Sequence, residues 1–437
     1  MMLSLHQQLI TLHLQMSKTL FFLLIIVSFF AFFQLGNHPL QDWDESRNGI
    51  NAIEMLQNKD WINLHFRGTV DDWNLKPPLS IWMIAASYSV FGLNEFALRF
   101  PAALGIIFAT FFLFKIIRLY RSESFAFFTC LILVSVKGWL GFHMGRTGDM
   151  DAILLAMLMA ATFFFLQYID FKKTSRIFLS AFFFGLAFWV KGLAMAVFIP
   201  SILLYIFFSK KINTIFLQKE IYAAIGLFLI FPLGYFWINA NYGILFAQKS
   251  GLGNNAFTSM FWYDIVERFG NTQFINPADL PSKLFFFSYL DTRFNMWNYF
   301  FFAGIAAVLF YFFTKKINTK QVIQKLKSPL ILVSICWAAP LTIFQNFSNV
   351  QHHWYLAPTL PFIAILTYQL IFWLKKQFPY FKYLFFSALA FTLIRQISFF
   401  NAYDKEPIFI QKNKEILSSA TNIINLSPHI NQSLSLY

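Results

Sequence analysis

Between residues 42 and 101 an otherwise apolar chain gathers Asp42, Asp44, Glu45, Arg47, Glu54, Asp60, Arg67, Asp71, Asp72 and Lys76. Ionisable groups set between membrane segments are where chemistry is expected. Asp44 and Arg47 stand three residues apart, so a short helix puts them on one face. A carboxylate at a membrane surface can act as a general base, and a guanidinium beside it can hold a phosphate through two parallel hydrogen bonds. A solvated ion pair at a helix start would give the same pattern. Lys76 is different, because Pro77 and Pro78 follow it and forbid a helix from running back through it. The lysine is thus presented at the start of the next helix, where a phosphate would find a cation and free N–H groups. A lysine snorkelling to the headgroups is the plain alternative.

Other candidates lie further along. Arg146, Asp149 and Asp151 open a later apolar segment. Residues two apart cannot share a helical face, so one aspartate is expected in the site and the other at the helix N-terminus as a cap. Lys191 interrupts an apolar run between Val190 and Leu193, at the turn of an expected helical hairpin. It is read as a lipid-phosphate contact or a snorkelling cation. Tyr355 follows His352 and His353 at the start of another span, where a tyrosine usually serves as an interface anchor. Cys130 and Cys336 sit inside apolar segments with no metal-binding or disulfide spacing.

The elements that position these groups follow from composition. Of 437 residues, 58% are hydrophobic and only 12% charged, which excludes an ordinary soluble domain. The apolar segments suit helices rather than the short alternating strands of a barrel. The expected fold is an all-α polytopic bundle of about 11–13 transmembrane helices, with spans at 18–36, 96–117, 124–141, 150–168, 176–190, 193–209, 220–239, 296–313, 329–346, 355–374 and 382–400. The links 115–123, 170–176, 210–219, 314–327 and 375–382 carry the Lys and Arg. Positive residues mark the inner side, which accounts for most of the net charge of +14 without a nucleic acid partner. It places 37–95, 142–149, 191–192, 240–295, 347–354 and 401–437 outside. Residues 77–92 cover only about 22 Å as a helix against a hydrocarbon core of about 30 Å, so an interfacial helix is expected there, with a short tilted span as the alternative. One domain is expected over 1–400, with an outer loop at 37–95, a second at 240–295 as lid or plain connection, and a short outer tail at 401–437.

The ordered set Asp44-Glu45-x-Arg47, Ala52-x-Glu54-Met55, Asp60-Trp61, Lys76-Pro77-Pro78-Leu79-x-x-Trp82 and Phe91-Gly92-x-Asn94-Glu95-x-Ala97-x-Arg99-x-Pro101 resembles the GT-C glycosyltransferases that use polyprenyl-phosphate sugars. That branch includes aminoarabinose transferases, with protein O-mannosyltransferases more distant. Arg146-Thr147-Gly148-Asp149-Met150-Asp151, Val190-Lys191-Gly192 and Tyr355-Leu356-x-Pro358-x-x-Pro361 extend the likeness. The resemblance implies a GT-C-like bundle and transfer of a sugar, with inversion, to an acceptor hydroxyl while a lipid phosphate leaves. It implies Asp44 as general base and Arg47, Lys76 and Lys191 as phosphate-binding cations. It further implies substrate contacts from Glu45, Arg146, Asp149, Asp151, His353 and Tyr355. The sequence departs from the family in two places. Leu75 stands where many relatives have Glu before Lys-Pro-Pro, and 240–295 contains no His, so no metal and no other cofactor is expected.

The expected partners are a lipid-linked sugar (undecaprenyl phosphate as carrier), a lipid, glycan or protein acceptor, and the membrane itself. The expected location is a bacterial inner membrane with the site facing outward. A transporter or flippase of lipid-linked sugars is the alternative, though neither internal repeats nor midplane helix breaks are evident. A non-catalytic scaffold of a glycan-assembly complex is a third class.

Overall fold

The computed structural model describes residues 17–41, 44–71, 76–242, 260–261, 282–314 and 318–402. Most of the expected lid or connection at 240–295, and nearly all of the tail at 401–437, lie outside the described residues.

Among the described residues thirteen principal helices follow one another: α1 Lys18–Phe32, α2 Asp44–Asn58, α3 Leu79–Phe91, α4 Glu95–Arg118, α5 Glu123–Val134, α6 Asp151–Phe171, α7 Arg176–Lys191, α8 Ile199–Phe208, α9 Lys219–Tyr242, α10 Trp297–Phe313, α11 Pro329–Phe347, α12 Leu360–Gln377 and α13 Phe381–Ala402. The fold is an all-α polytopic membrane bundle, as the apolar runs require. Among the described residues seven helical runs are long and apolar enough to cross a membrane, and α1, α3, α5 and α10 are shorter apolar helices.

The run Arg176–Phe208 is one continuous apolar stretch but two legs. At one end Lys191 pairs with Asp151 at 2.5 Å. At the other, Tyr205 donates to Asp170 at 2.5 Å and Lys211 pairs with the same carboxylate. Asp151 and Asp170 lie at opposite ends of α6, so α7 rises beside α6 and the chain descends again. The reversal occurs at Gly192, whose φ of +58° suits glycine. The descending leg opens with seven residues of 3-10 helix, Gly192–Phe198, before α8. At about 2.0 and 1.5 Å per residue the two pieces together reach roughly 29 Å, enough to cross.

The expected span at 124–141 is interrupted. α5 stops at Val134, and a separate short helix covers Lys137–Leu140. The break is held from outside, since the buried Trp297 indole N–H donates to Ser135 Oγ at 2.8 Å. Trp139 and Trp337 likewise donate to Thr110 and Thr162, both at 3.1 Å. A buried indole N–H with no water at hand needs such a partner.

The short α3 lies across one end of the bundle. Near its start Ser80 donates to the Val190 carbonyl at the end of α7, and near its finish Ser87 donates to the Ala97 carbonyl in the first turn of α4. Both ends are therefore docked at the same end of the bundle, the arrangement expected of an interfacial helix. α2 is fixed at that end by Glu45, whose carboxylate pairs with the buried Arg99 of α4 at 2.7 Å and accepts from Gly148 N at 2.8 Å. Gly105 lets α4 approach α6, because an added Cβ would stand 2.9 Å from the Ala152 backbone.

Candidate active site

The docked end of the bundle carries a cavity of about 360 Å³ with an apolar body and a charged mouth. Leu193, Ala194, Val197 and Pro200 form one wall, and Pro340, Leu341 and Phe344 the other. Lys76, Asp151, Lys191, Trp354 and Tyr355 line the same cavity. Two 3-10 segments, Gly192–Phe198 and His353–Thr359, deliver much of this lining. Lys76 reaches the mouth because Pro77 packs at Gly192, where an added Cβ would stand 3.5 Å from the proline ring. Ser80 and Trp82 fix that contact, the latter with its ring 5.5 Å from that of Trp189. Lys191 stands beside it on α7, ion-paired with Asp151.

A second group adjoins the cavity. Asp44, at the first turn of α2 and half exposed, has Oδ2 3.9 Å from Nδ1 of His143, and Asp149 Oδ2 lies 3.2 Å from the same nitrogen. Thr147 donates to Asp149 at 2.6 Å. The His143 ring stacks on Trp354 at 3.8 Å, and Trp354 in turn stacks on His352 at 4.5 Å. Through Trp354 the carboxylate group thus touches the wall of the cavity. Burial pushes the Asp149 carboxyl above its ordinary range, with His143 and Thr147 opposing only in part. Burial alone would lower His143, but the carboxylates of Asp149, Asp151 and Asp44 outweigh it and hold the imidazole above its ordinary value. His143 itself adopts left-handed backbone, φ +60°, a conformation that costs energy in a non-glycine residue.

The residues singled out from sequence divide into two sets. The fold places Lys76, Asp151, Lys191 and Tyr355 in the cavity lining and Asp44 and Asp149 in the adjoining group around His143. It holds four others elsewhere. Arg47 donates from Nε to Asp71 at 2.8 Å and closes a second, shorter bond to the same carboxylate, with its guanidinium 4.4 Å above the Phe66 ring. The hairpin His65–Phe66/Thr69–Val70, turning at Arg67 and Gly68 with positive φ, delivers both partners. With its Nε/Nη2 edge on Asp71 and its guanidinium over Phe66, Arg47 fastens the loop, and it is not among the cavity-lining residues. Glu45 is buried against Arg99 and serves the scaffold. Arg146 donates to the carbonyls of Phe30 and Gln34 and to His38 Nε2, under Phe400, and so ties α1 to the α5–α6 link. His353 packs against Phe285 and Tyr289, on the side away from the cavity lining.

Two further points differ from expectation. Neither Asp149 nor Asp151 caps α6: the cap position is Met150, which makes no side-chain cap hydrogen bond, and the aspartates on either side of it turn to His143 and to Lys191. His143 is the residue that sequence reasoning missed. Its only signal was a histidine in a short polar link three residues before Arg146.

A helical bundle with the short α3 docked at one end, over a cavity lined by apolar and charged side chains, defines a polytopic membrane fold with a candidate site. Residues 75–237 match the family model described as dolichyl-phosphate-mannose-protein mannosyltransferase. An undecaprenyl phosphate-alpha-4-amino-4-deoxy-L-arabinose arabinosyl transferase of Pseudomonas fluorescens is 35% identical over 112 residues, covering 25% of this chain and 20% of that protein. The corresponding transferase of Aeromonas hydrophila is 30% identical over 206 residues, 45% of this chain and 36% of its own length. Among solved structures, ArnT from Cupriavidus metallidurans bound to undecaprenyl phosphate superposes with a TM-score of 0.62 at 16% identity, over 80% of this chain and 59% of that one. The matches therefore span less than two thirds of these relatives' own lengths. The GT-C resemblance carried by the ordered motifs rests on this match and on this fold.

Proposed function

We propose that this chain is a membrane glycosyltransferase that moves a sugar from a polyprenyl-phosphate carrier to an acceptor hydroxyl, on the outer side of the membrane and with inversion. The observation that carries the proposal is the pairing of two lysines, Lys76 and Lys191, with the mouth of an apolar cavity of about 360 Å³. A phosphate at the mouth would meet both cations while the first isoprene units lie between the two apolar walls. Undecaprenyl phosphate is the lipid named for these relatives, which supports the same choice here. The acceptor is a lipid, glycan or protein.

In this reading the half-exposed Asp44 takes the proton from the acceptor hydroxyl as its oxygen attacks the anomeric carbon. The bond from that carbon to the phosphate oxygen breaks on the opposite face, and the electron pair leaves with the phosphate. Lys191 and Lys76 face the charge that develops there. A general base contributes roughly 10²–10⁴-fold, and prearranged cations in a water-poor site a comparable factor. Asp151 holds Lys191 in place until the phosphate arrives, and Tyr355 flanks it. Arg47, Arg146, Glu45 and His353 support the framework in this account.

The deciding experiment measures transfer of radiolabelled sugar from purified polyprenyl-phosphate sugars to membrane acceptors, comparing wild type with Asp44→Asn at matched expression. The expected outcome is loss of transfer with binding of the carrier retained. Equal transfer by both would remove Asp44 from the mechanism. Carrier movement between leaflets without transfer would identify a flippase instead.

A further inference from the structure

The group formed by Asp44, His143 and Asp149 has a geometry that neither acid–base chemistry nor the phosphate site requires. We propose that these three side chains form a binding site for one divalent transition-metal cation. The inference goes beyond the transferase reading and does not depend on it.

Three observations support it. First, one ligand atom from each residue lies within 4.8 Å of the others. Ligands bound at about 2.1 Å to one ion stand roughly 3.0 to 4.2 Å apart, depending on the angle between them. The separations from His143 Nδ1 are 3.2 Å to Asp149 and 3.9 Å to Asp44, so an ion fits with little movement. Second, the His143 side chain is 7% exposed, and its Nδ1 makes no hydrogen bond among the described residues, although it points at both carboxylates. The Asp149 oxygen at 3.2 Å and the Asp44 oxygen at 3.9 Å both face that nitrogen. In its neutral form the buried ring nitrogen would offer its lone pair to an ion held between the two carboxylates. Third, the ligands are already oriented. Thr147 fixes Asp149 by donating to it, and Trp354 stacks on the imidazole and sets its plane. Such outer partners are what hold metal ligands in register.

The donor set chooses the class of ion. One imidazole with two carboxylates suits Mn²⁺ or Zn²⁺ better than the all-oxygen sites of Ca²⁺. Three protein ligands with one of them, Asp44, half exposed leave open coordination positions toward solvent, the pattern of a site that also receives a small molecule.

Binding can be read without any transfer assay. The full chain is purified, stripped with chelator, placed in lipid nanodiscs and titrated with Mn²⁺, free ion being followed by its EPR signal. One saturable equivalent per chain is expected. Asp149→Asn and His143→Gln should each weaken it by about a hundredfold, and Thr147→Val, which touches no ion, by about tenfold. Asp44→Asn alters a half-exposed side chain and so reports on binding even where the buried replacements fail to fold; it should weaken the site at least tenfold. Absence of a saturable equivalent in monodisperse wild type overturns the proposal. So does undiminished affinity in Asp44→Asn.

Discussion

Lys191 and Asp151 meet at 2.5 Å at the cavity mouth, a cation on one helix held by a carboxylate on its neighbour. The pair is shielded, with side chains about 15% exposed, so removing one member leaves the other largely buried and uncompensated. Asp151→Asn is therefore expected to lower thermal stability in detergent. Adding undecaprenyl phosphate should restore more of it in the variant than in wild type, because the phosphate supplies the missing negative partner. Equal stabilisation of the two proteins would place the phosphate elsewhere.

Lys191→Met tests the phosphate contact. A charge-assisted hydrogen bond contributes about 1.5–3 kcal/mol, or roughly 10- to 150-fold in affinity. The carrier dissociation constant should rise within that range, and thermal stability should fall as well, because Asp151 is left largely buried without its partner. An unchanged constant would leave Lys76 as the phosphate contact.

Arg47 and Asp71 should behave as one unit. Their bidentate pair closes the loop over Phe66, and nothing in its geometry reaches the cavity. Arg47→Met and Asp71→Leu are each expected to destabilise. The double variant should cost less than the sum of the two, with a coupling of about 0.5–3 kcal/mol. Carrier affinity should be unaffected throughout. A large loss of affinity in Arg47→Met with stability intact would return Arg47 to the phosphate site.

The helical legs and their alternation were legible because burial in lipid demands long apolar runs and basic links mark one side. Asp44, Lys76 and Lys191 stand out in the sequence because charges between such runs have few other uses, and the fold brings Lys76 and Lys191 into one cavity with Asp44 nearby. The role of Glu45 was not legible. It adjoins Asp44 in sequence, but consecutive helical residues point about 100° apart, and only the fold shows Arg99 and Gly148 N waiting on that side. Arg47's pairing with Asp71 was not legible for a related reason. Its partner is 24 residues away, brought back by a turn at Arg67-Gly68 that local spacing does not connect to it. His143 has no periodic or charged signature, and its meaning comes from Asp44, about a hundred residues earlier, and Trp354, about two hundred later.

The Glu45–Arg99 pair provides the sharpest test of how the site is held. Both side chains are almost wholly buried, and the arginine also donates to the carbonyls of Leu35, His38 and Pro39. Glu45→Ala strands that guanidinium's charge and removes the acceptor for Gly148 N. Breaking a buried pair from one side costs about 3–5 kcal/mol, so the variant should fail to accumulate or melt well below wild type. Glu45→Gln keeps an acceptor for Gly148 N while removing the charge, and should fall between the two. If instead Glu45→Ala is stable and loses only carrier or acceptor affinity, Glu45 contacts substrate and the scaffold assignment is wrong. Melting curves of the three proteins in one detergent, with carrier affinity measured on the same preparations, decide the matter.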